Sequence, residues 1–152
     1  VNREIERKFK VVDDRWRSSV KKTARIVQGY LSRDSERVVR VRTTNDEAAA
    51  ITIKGVRTGV SRAEFEYAIP IEDARELLHL CLQPPIEKTR HYVKDGELTW
   101  EIDEFQAPQH ELVIAELELP TADHEFERPG WLGAEVTANP LFYNQNITFR
   151  RP

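Results

Sequence analysis

Carboxylates and cations stand two residues apart at several places in this chain. Glu4, Glu6 and Lys8 alternate near its start, and the spacing returns in Arg40 and Arg42, in Arg62, Glu64 and Glu66, and in Lys88 and Arg90. It returns again in Glu101 and Asp103 and in Glu116 and Glu118, while Lys54 follows Thr52 in the same rhythm. In an extended strand, residues i and i+2 point to one face, so each set presents its charge on one side. Clustered carboxylates suit a hard divalent cation, Mg2+ or Mn2+, through oxygen ligands. Arginines and lysines suit a polyanion with several phosphoryl groups. A cavity holding both would bind a metal–polyphosphate complex, the arrangement that phosphoryl transfer needs. No Walker A pattern occurs, so side chains rather than a backbone nest would hold the phosphates.

The elements that must position these residues read mostly as strands. Period-two alternation predicts Glu4–Val11, Ala24–Leu31, Val38–Thr43, Ala49–Lys54 and Arg62–Ile69, the last two joined by a loop with Gly55 and Gly59. Ile86–Val93 and Leu98–Phe105 form a hairpin around Asp95-Gly96, and Leu112–Leu119 is the last clear strand, ended by Pro120. Ile71, Ala74, Leu77, Leu78 and Cys81 recur at helical spacing over Ile71–Leu82, before Pro84. A short polar helix is expected over Asp13–Lys21, and another over Thr121–Glu127 behind a Thr cap. Val136 to Arg151 carries no clear period and could lie as a short helix over one end. The expectation is eight strands, mostly antiparallel, with two to four helices.

A sheet with one wet face produces such alternation without any site. Two features argue for more. The doublets are of one sign within a strand, whereas a solubilising surface mixes signs. The opposite faces are apolar, and a helix such as Ile71–Leu82 needs a surface to cover. A mainly β (α+β) fold satisfies both: an eight-stranded antiparallel closed barrel with a charged interior and helices packed outside. Such an interior is costly unless its charges meet something.

The chain has 152 residues, 23 Lys plus Arg against 26 Asp plus Glu, and a net charge of −3. That suits a single domain spanning 1–152 and argues against a basic nucleic-acid scaffold. Cys81 is the only cysteine, which excludes an intramolecular disulfide framework. No apolar run approaches the ~20 residues of a membrane span, and no signal-peptide pattern opens the sequence. A cytoplasmic protein without membrane or nucleic-acid partners is expected; a homodimer is compatible with the sequence.

The segment Glu4-Ile5-Glu6-Arg7-Lys8 resembles the signature of the CYTH family, the triphosphate tunnel metalloenzymes. Gln28-Gly29-Tyr30-Leu31, Val39-Arg40-Val41-Arg42, the Lys54 strand, Glu64-Phe65-Glu66, Glu87-Lys88-Thr89-Arg90 and Glu116-Leu117-Glu118 follow in the family's order. The resemblance covers residues 2 to 119, and Trp131–Thr137 is similar to a later family segment. It implies an eight-stranded tunnel acting on triphosphates with Mg2+ or Mn2+. Carried over by position, it implies metal ligation by Glu4, Glu6, Glu116 and Glu118, with Glu66 beside them. Lys8, Arg40, Arg42, Lys54, Arg62, Lys88 and Arg90 would grip the substrate. Lys88, Arg90, Glu64 and Asp103 are the catalytic candidates. For Asp103 a structural ion pair is the alternative, and for Arg62 a surface position.

Within the family the chain looks most like the small bacterial inorganic triphosphatases, with tripolyphosphate as the expected small-molecule substrate and nucleoside triphosphates as further candidates. Class IV adenylate cyclase and thiamine triphosphatase are alternatives. The His-Phe pair of the bacterial cyclases is absent, since none of His79, His91, His110 and His124 precedes Phe. Asn139–Asn144 lacks the basic residues expected where related small enzymes line or plug the tunnel. A non-catalytic polyphosphate-binding module would use the same tunnel but needs fewer carboxylates.

Overall fold

The computed structural model describes residues 3–107 and 111–147. The expected alternation becomes β1 (Arg3–Val11), β2 (Lys22–Ser32), β3 (Arg37–Thr44), β4 (Ala48–Gly55) and β5 (Ser61–Ile69), followed by helix α1 (Ile71–His79). β6 (Ile86–Asp95), β7 (Leu98–Ala107), β8 (Val113–Glu118), a short β9 (Leu132–Glu135) and a one-turn helix α2 (Asn144–Ile147) complete the described chain. All pairings are antiparallel in the order β5-β4-β3-β2-β6-β7-β8-β1, and β5 pairs with β1 to close the barrel. That closing pairing runs over Arg3–Ile5 and Ser61–Ala63. No helix among the described residues is long and apolar enough to cross a membrane.

Closure depends on how β1 divides its edges. One edge pairs with β8, placing Glu6 opposite Glu118 and Lys8 opposite Glu116. The other pairs with β5 at Arg3–Ile5 and with β9 at Phe9 and Val11. β9 is a ninth strand that the alternation did not predict, because its four residues Leu-Gly-Ala-Glu carry no usable period.

The apolar faces point outward; those of β1, β7 and β8 are covered, whereas Ile53, Phe65 and Tyr67 on β4 and β5 stay exposed. Against β7 and β8, Phe9, Trp100 and Phe126 meet edge to face, with Trp131 5.5 Å from Trp100. Phe126 comes from the expected Thr121–Glu127 helix, which is instead a turn and irregular chain. Pro120 and Pro129 bound that segment, and the Thr121 hydroxyl donates to Asp123 instead of accepting from a helical amide. The Asp13–Lys21 helix shrinks to a 3-10 turn, Arg15–Ser19, which buries Trp16.

α1 packs on β3 and β4 through Ala74, Leu77 and Leu78. It stops three residues short of Leu82, because the Leu82 amide donates to the Tyr30 carbonyl of β2 at 3.0 Å. The tail forms a 3-10 turn, Pro140–Phe142, and then α2, burying Phe142 and Ile147 over one end of the barrel. Residues 148–151 of the expected tail lie outside the described residues.

Candidate active site

Inside the barrel lies a cavity of about 300 Å³. It is lined by every sequence-predicted site residue except Asp103. Parity explains this convergence: each inward side chain repeats every second residue, and the register sets its opposite number. Arg40 faces Thr52, Lys54 faces Glu64, Arg90 faces Asp103 and Glu101 faces Glu116. Arg62, for which a surface position was the alternative, is buried at 4% exposure and donates to the Gly55 carbonyl at 3.1 Å.

The acidic wall consists of interacting carboxylates. Lys54 Nζ lies 3.0 Å from both Glu4 oxygens and 3.3 Å from Glu64. Burial pushes Glu4 up, but Lys54 and a hydrogen bond with Glu64 outweigh it and hold the carboxyl at about 2. Glu64 takes the complementary share: burial and Glu4 raise it to about 7. The same division recurs between Glu6 and Glu116. Burial, Glu116 and Glu4 push Glu6 well above the usual carboxylate range. Glu116 is driven well below it against the cost of burial, chiefly by Lys8 and Arg90. Each pair thus behaves as one carboxylate beside one carboxylic acid, since two close charges of one sign resist ionising together.

That arrangement fits a divalent cation, which would replace the shared proton. Among the described residues no three His, Cys, Asp or Glu side chains form a ready-made metal cage. Mg2+ is usually held by one or two carboxylates together with water and substrate phosphates, so paired glutamates match its chemistry.

The basic wall is layered. Arg90 grips Asp103 through two bonds of 2.7 and 2.9 Å, and Lys88 lies 2.6 Å from the same carboxylate. Asp103 therefore stands behind the cavity wall as a counter-ion to two of its cations. Burial, opposed by Asp103, brings Lys88 down to about 7. Arg42 donates twice to Gln28 Oε1, at 2.9 and 2.7 Å, and burial followed by repulsion from Arg40 lowers it to about 10. Arg40 donates to Thr52, and its buried Nε has no partner among the described residues.

The cavity is also lined by residues that the sequence reading did not place among the site candidates. Glu101 shares the parity of Asp103 and reaches the cavity, where it lies 3.3 Å from Arg90. Tyr92 shares the parity of Lys88 and Arg90, a signal that parity alone could have supplied, whereas Tyr30 lies on β2, which carries no charged doublet. Arg57, Tyr143, Asn144 and Gln145 come from a loop and the tail, where no periodicity assigns a face. Asn144 accepts from Lys88 at 2.9 Å, and Lys8 Nζ lies 3.4 Å from the Phe142 carbonyl. Neutral acceptors of the tail thus cover one end of the cavity, in the segment that lacks basic residues.

The family model for the CYTH domain matches residues 2–149. An inorganic triphosphatase from Acetivibrio thermocellus is 44% identical over 148 residues, 97% of this chain and 94% of that protein. The crystal structure of another inorganic triphosphatase superposes with a TM-score of 0.69 at 26% identity, covering 98% of this chain and 96% of the other. A Hippeastrum protein described as having a dominant triphosphatase activity shares the fold at 16% identity, with a TM-score of 0.62 and coverage of 78% and 80%.

Proposed function

Since the chain belongs to the CYTH family, we propose that it is a metal-dependent inorganic triphosphatase that hydrolyses tripolyphosphate inside its barrel. The observation that carries this reading is the division of one cavity into paired glutamates and buried cations. The triphosphatase activity of its Acetivibrio relative supports it. A cavity of about 300 Å³ lies at the lower end of the range for small-molecule sites, which favours a compact polyanion over a nucleotide.

Glu4, Glu6, Glu66, Glu116 and Glu118 would hold Mg2+ or Mn2+. The bound ion would neutralise phosphoryl charge and polarise the bond to be broken. Lys8, Arg40, Arg42, Lys54 and Arg62 hold the triphosphate in line. Glu64, which lines the cavity beside Glu4 and Lys54, would accept a proton from the attacking water once the metal has displaced the proton it shares with Glu4. Water attacks the terminal phosphorus, the bridging P–O bond breaks, and its electron pair leaves with the diphosphate. Lys88 and Arg90 stabilise that leaving charge, and Asp103 keeps both in place. The same reading gives the enzyme a cytoplasmic location and a small-molecule partner only.

The test is phosphate release from tripolyphosphate, ATP, GTP and thiamine triphosphate with Mg2+, Mn2+ or chelator. Metal-dependent release with tripolyphosphate preferred is expected. No release from any substrate would refute the hydrolase, and cyclic AMP formed from ATP would move the chain to the cyclase branch.

A further inference from the structure

We infer that Arg57 is a substrate-binding residue that works with Arg62 to grip a phosphoryl group beside the carboxylates of β1. The inference rests on the triphosphatase reading and adds a residue to it. Arg57 stands in the loop 56–60 between β4 and β5. That loop is closed by reciprocal backbone bonds between Thr58 and Ser61, of 2.7 and 3.1 Å, with Gly59 at φ 64°. The Glu6 amide donates to the Val60 carbonyl at 3.1 Å, so the loop is tied to β1 at the acidic wall. From there Arg57 lines the cavity.

The surroundings of its guanidinium suit an anion. Of the cavity cations, Lys8, Lys54, Lys88 and Arg90 each pair with a carboxylate. Arg40, Arg42, Arg57 and Arg62 form no such pair among the described residues. Three of these donate to neutral acceptors: Thr52, Gln28 and the Gly55 carbonyl. Arg57 makes no such bond: its Nε, like that of Arg40, is buried with no hydrogen-bond partner among the described residues, and its guanidinium lies 5.2 Å from the ring centroid of Tyr143. An aromatic face accommodates a cation but satisfies none of its N–H donors in the plane of the fork.

Arg57 and Arg62 also repel each other. Arg62 is buried and Arg57 half-buried, neither forms an ion pair among the described residues, and the more distant Glu4 and Glu6 offset their repulsion only in part; a doubly charged phosphoryl end would bind both at once. Because Arg62 is the cross-strand neighbour of Glu4, that end lies next to the proposed metal ligands. The guanidinium turns from the Tyr143 ring to the phosphoryl oxygens, exchanging a π contact for charge-assisted hydrogen bonds. A diphosphate has fewer groups to share among these cations, so Arg57 favours the longer and more highly charged triphosphate.

The test compares wild type, R57Q and R57K in phosphate release from tripolyphosphate, and in the rise in melting temperature that tripolyphosphate gives with metals chelated. R57Q is expected to raise KM about tenfold or more with kcat within about threefold, the pattern of a lost ground-state contact. It is also expected to cut the melting-temperature rise by about half or more, with R57K intermediate because charge without the fork restores part of the grip. A folded R57Q protein with wild-type KM and an unchanged melting rise overturns the role of Arg57. So does a loss confined to kcat. Absence of phosphate release from wild type would instead defeat the hydrolase reading, and the melting experiment would still decide for or against Arg57.

Discussion

Lys88 Nζ lies 2.6 Å from Asp103 Oδ2, and neither side chain is exposed to solvent. Arg90 donates to both Asp103 oxygens, so one carboxylate underneath the wall anchors two cations that line the cavity. Asp103→Asn leaves two buried charges without their counter-ion. A loss of about 3–5 kcal/mol is typical for breaking a buried pair, so a large fall in melting temperature is expected. Tripolyphosphate should restore more stability to this variant than it adds to wild type, because the polyanion replaces the lost charge. Thermal melts with and without the ligand check both expectations; a wild-type melting temperature would remove Asp103 as the anchor.

Glu116 sits between Lys8 and Arg90, at 3.7 Å from each, and shares its pair with Glu6. Glu116→Gln keeps the shape and removes the charge that a metal would need. Metal-dependent turnover is expected to fall by at least about 100-fold, with circular dichroism unchanged. Wild-type turnover in this variant would refute the metal assignment.

The glutamate pairs also set a dependence on pH. Glu64 sits at about 7, above its ordinary 4.5, so the stability it contributes is present below 4.5 and lost as pH rises through about 7. Glu6 is shifted in the same direction. A metal that replaces the shared proton binds better once the proton is lost. The melting-temperature rise given by Mn2+ should therefore be larger at a pH of about 8 than at about 5. An equal rise at both would show that the ion does not displace the protons these pairs share.

Gly29 tests the packing outside the barrel. A Cβ placed there would meet Cys81 Sγ at 2.7 Å and Cβ at 3.0 Å, with Leu78 Cδ2 at 3.3 Å. Gly29→Ala should destabilise by about 1–3 kcal/mol through overpacking. Cys81→Ala should recover part of that loss in the double variant, as measured by denaturant unfolding. Additive effects would mean that the helix end moves away without cost.

The sequence alone determined which side chains share a face. Side-chain direction alternates along an extended backbone whatever surrounds it, so Glu4, Glu6 and Lys8, or Lys88 and Arg90, are grouped before any partner is known. Same-sign doublets opposite apolar residues then pointed to a charged interior. Where the backbone has no period, that inference fails. Thr121–Glu127 looked helical but is a turn and irregular chain that packs Phe126 against both Phe9 and Trp100. Arg57 and Asn144 likewise reach the cavity from segments whose direction only their anchoring contacts fix.

Tertiary structure alone decided who meets whom. Glu4 finds Lys54 and Glu64 because β5 closes on β1, and its low pKa beside a raised one on Glu64 comes from that closure. Asp103 has the same parity as Glu101, yet one lies behind the wall with Lys88 and the other lines the cavity. Parity is a local property of the chain; charge pairing, burial and proton sharing depend on distances between strands far apart in sequence, which exist only once the barrel has closed.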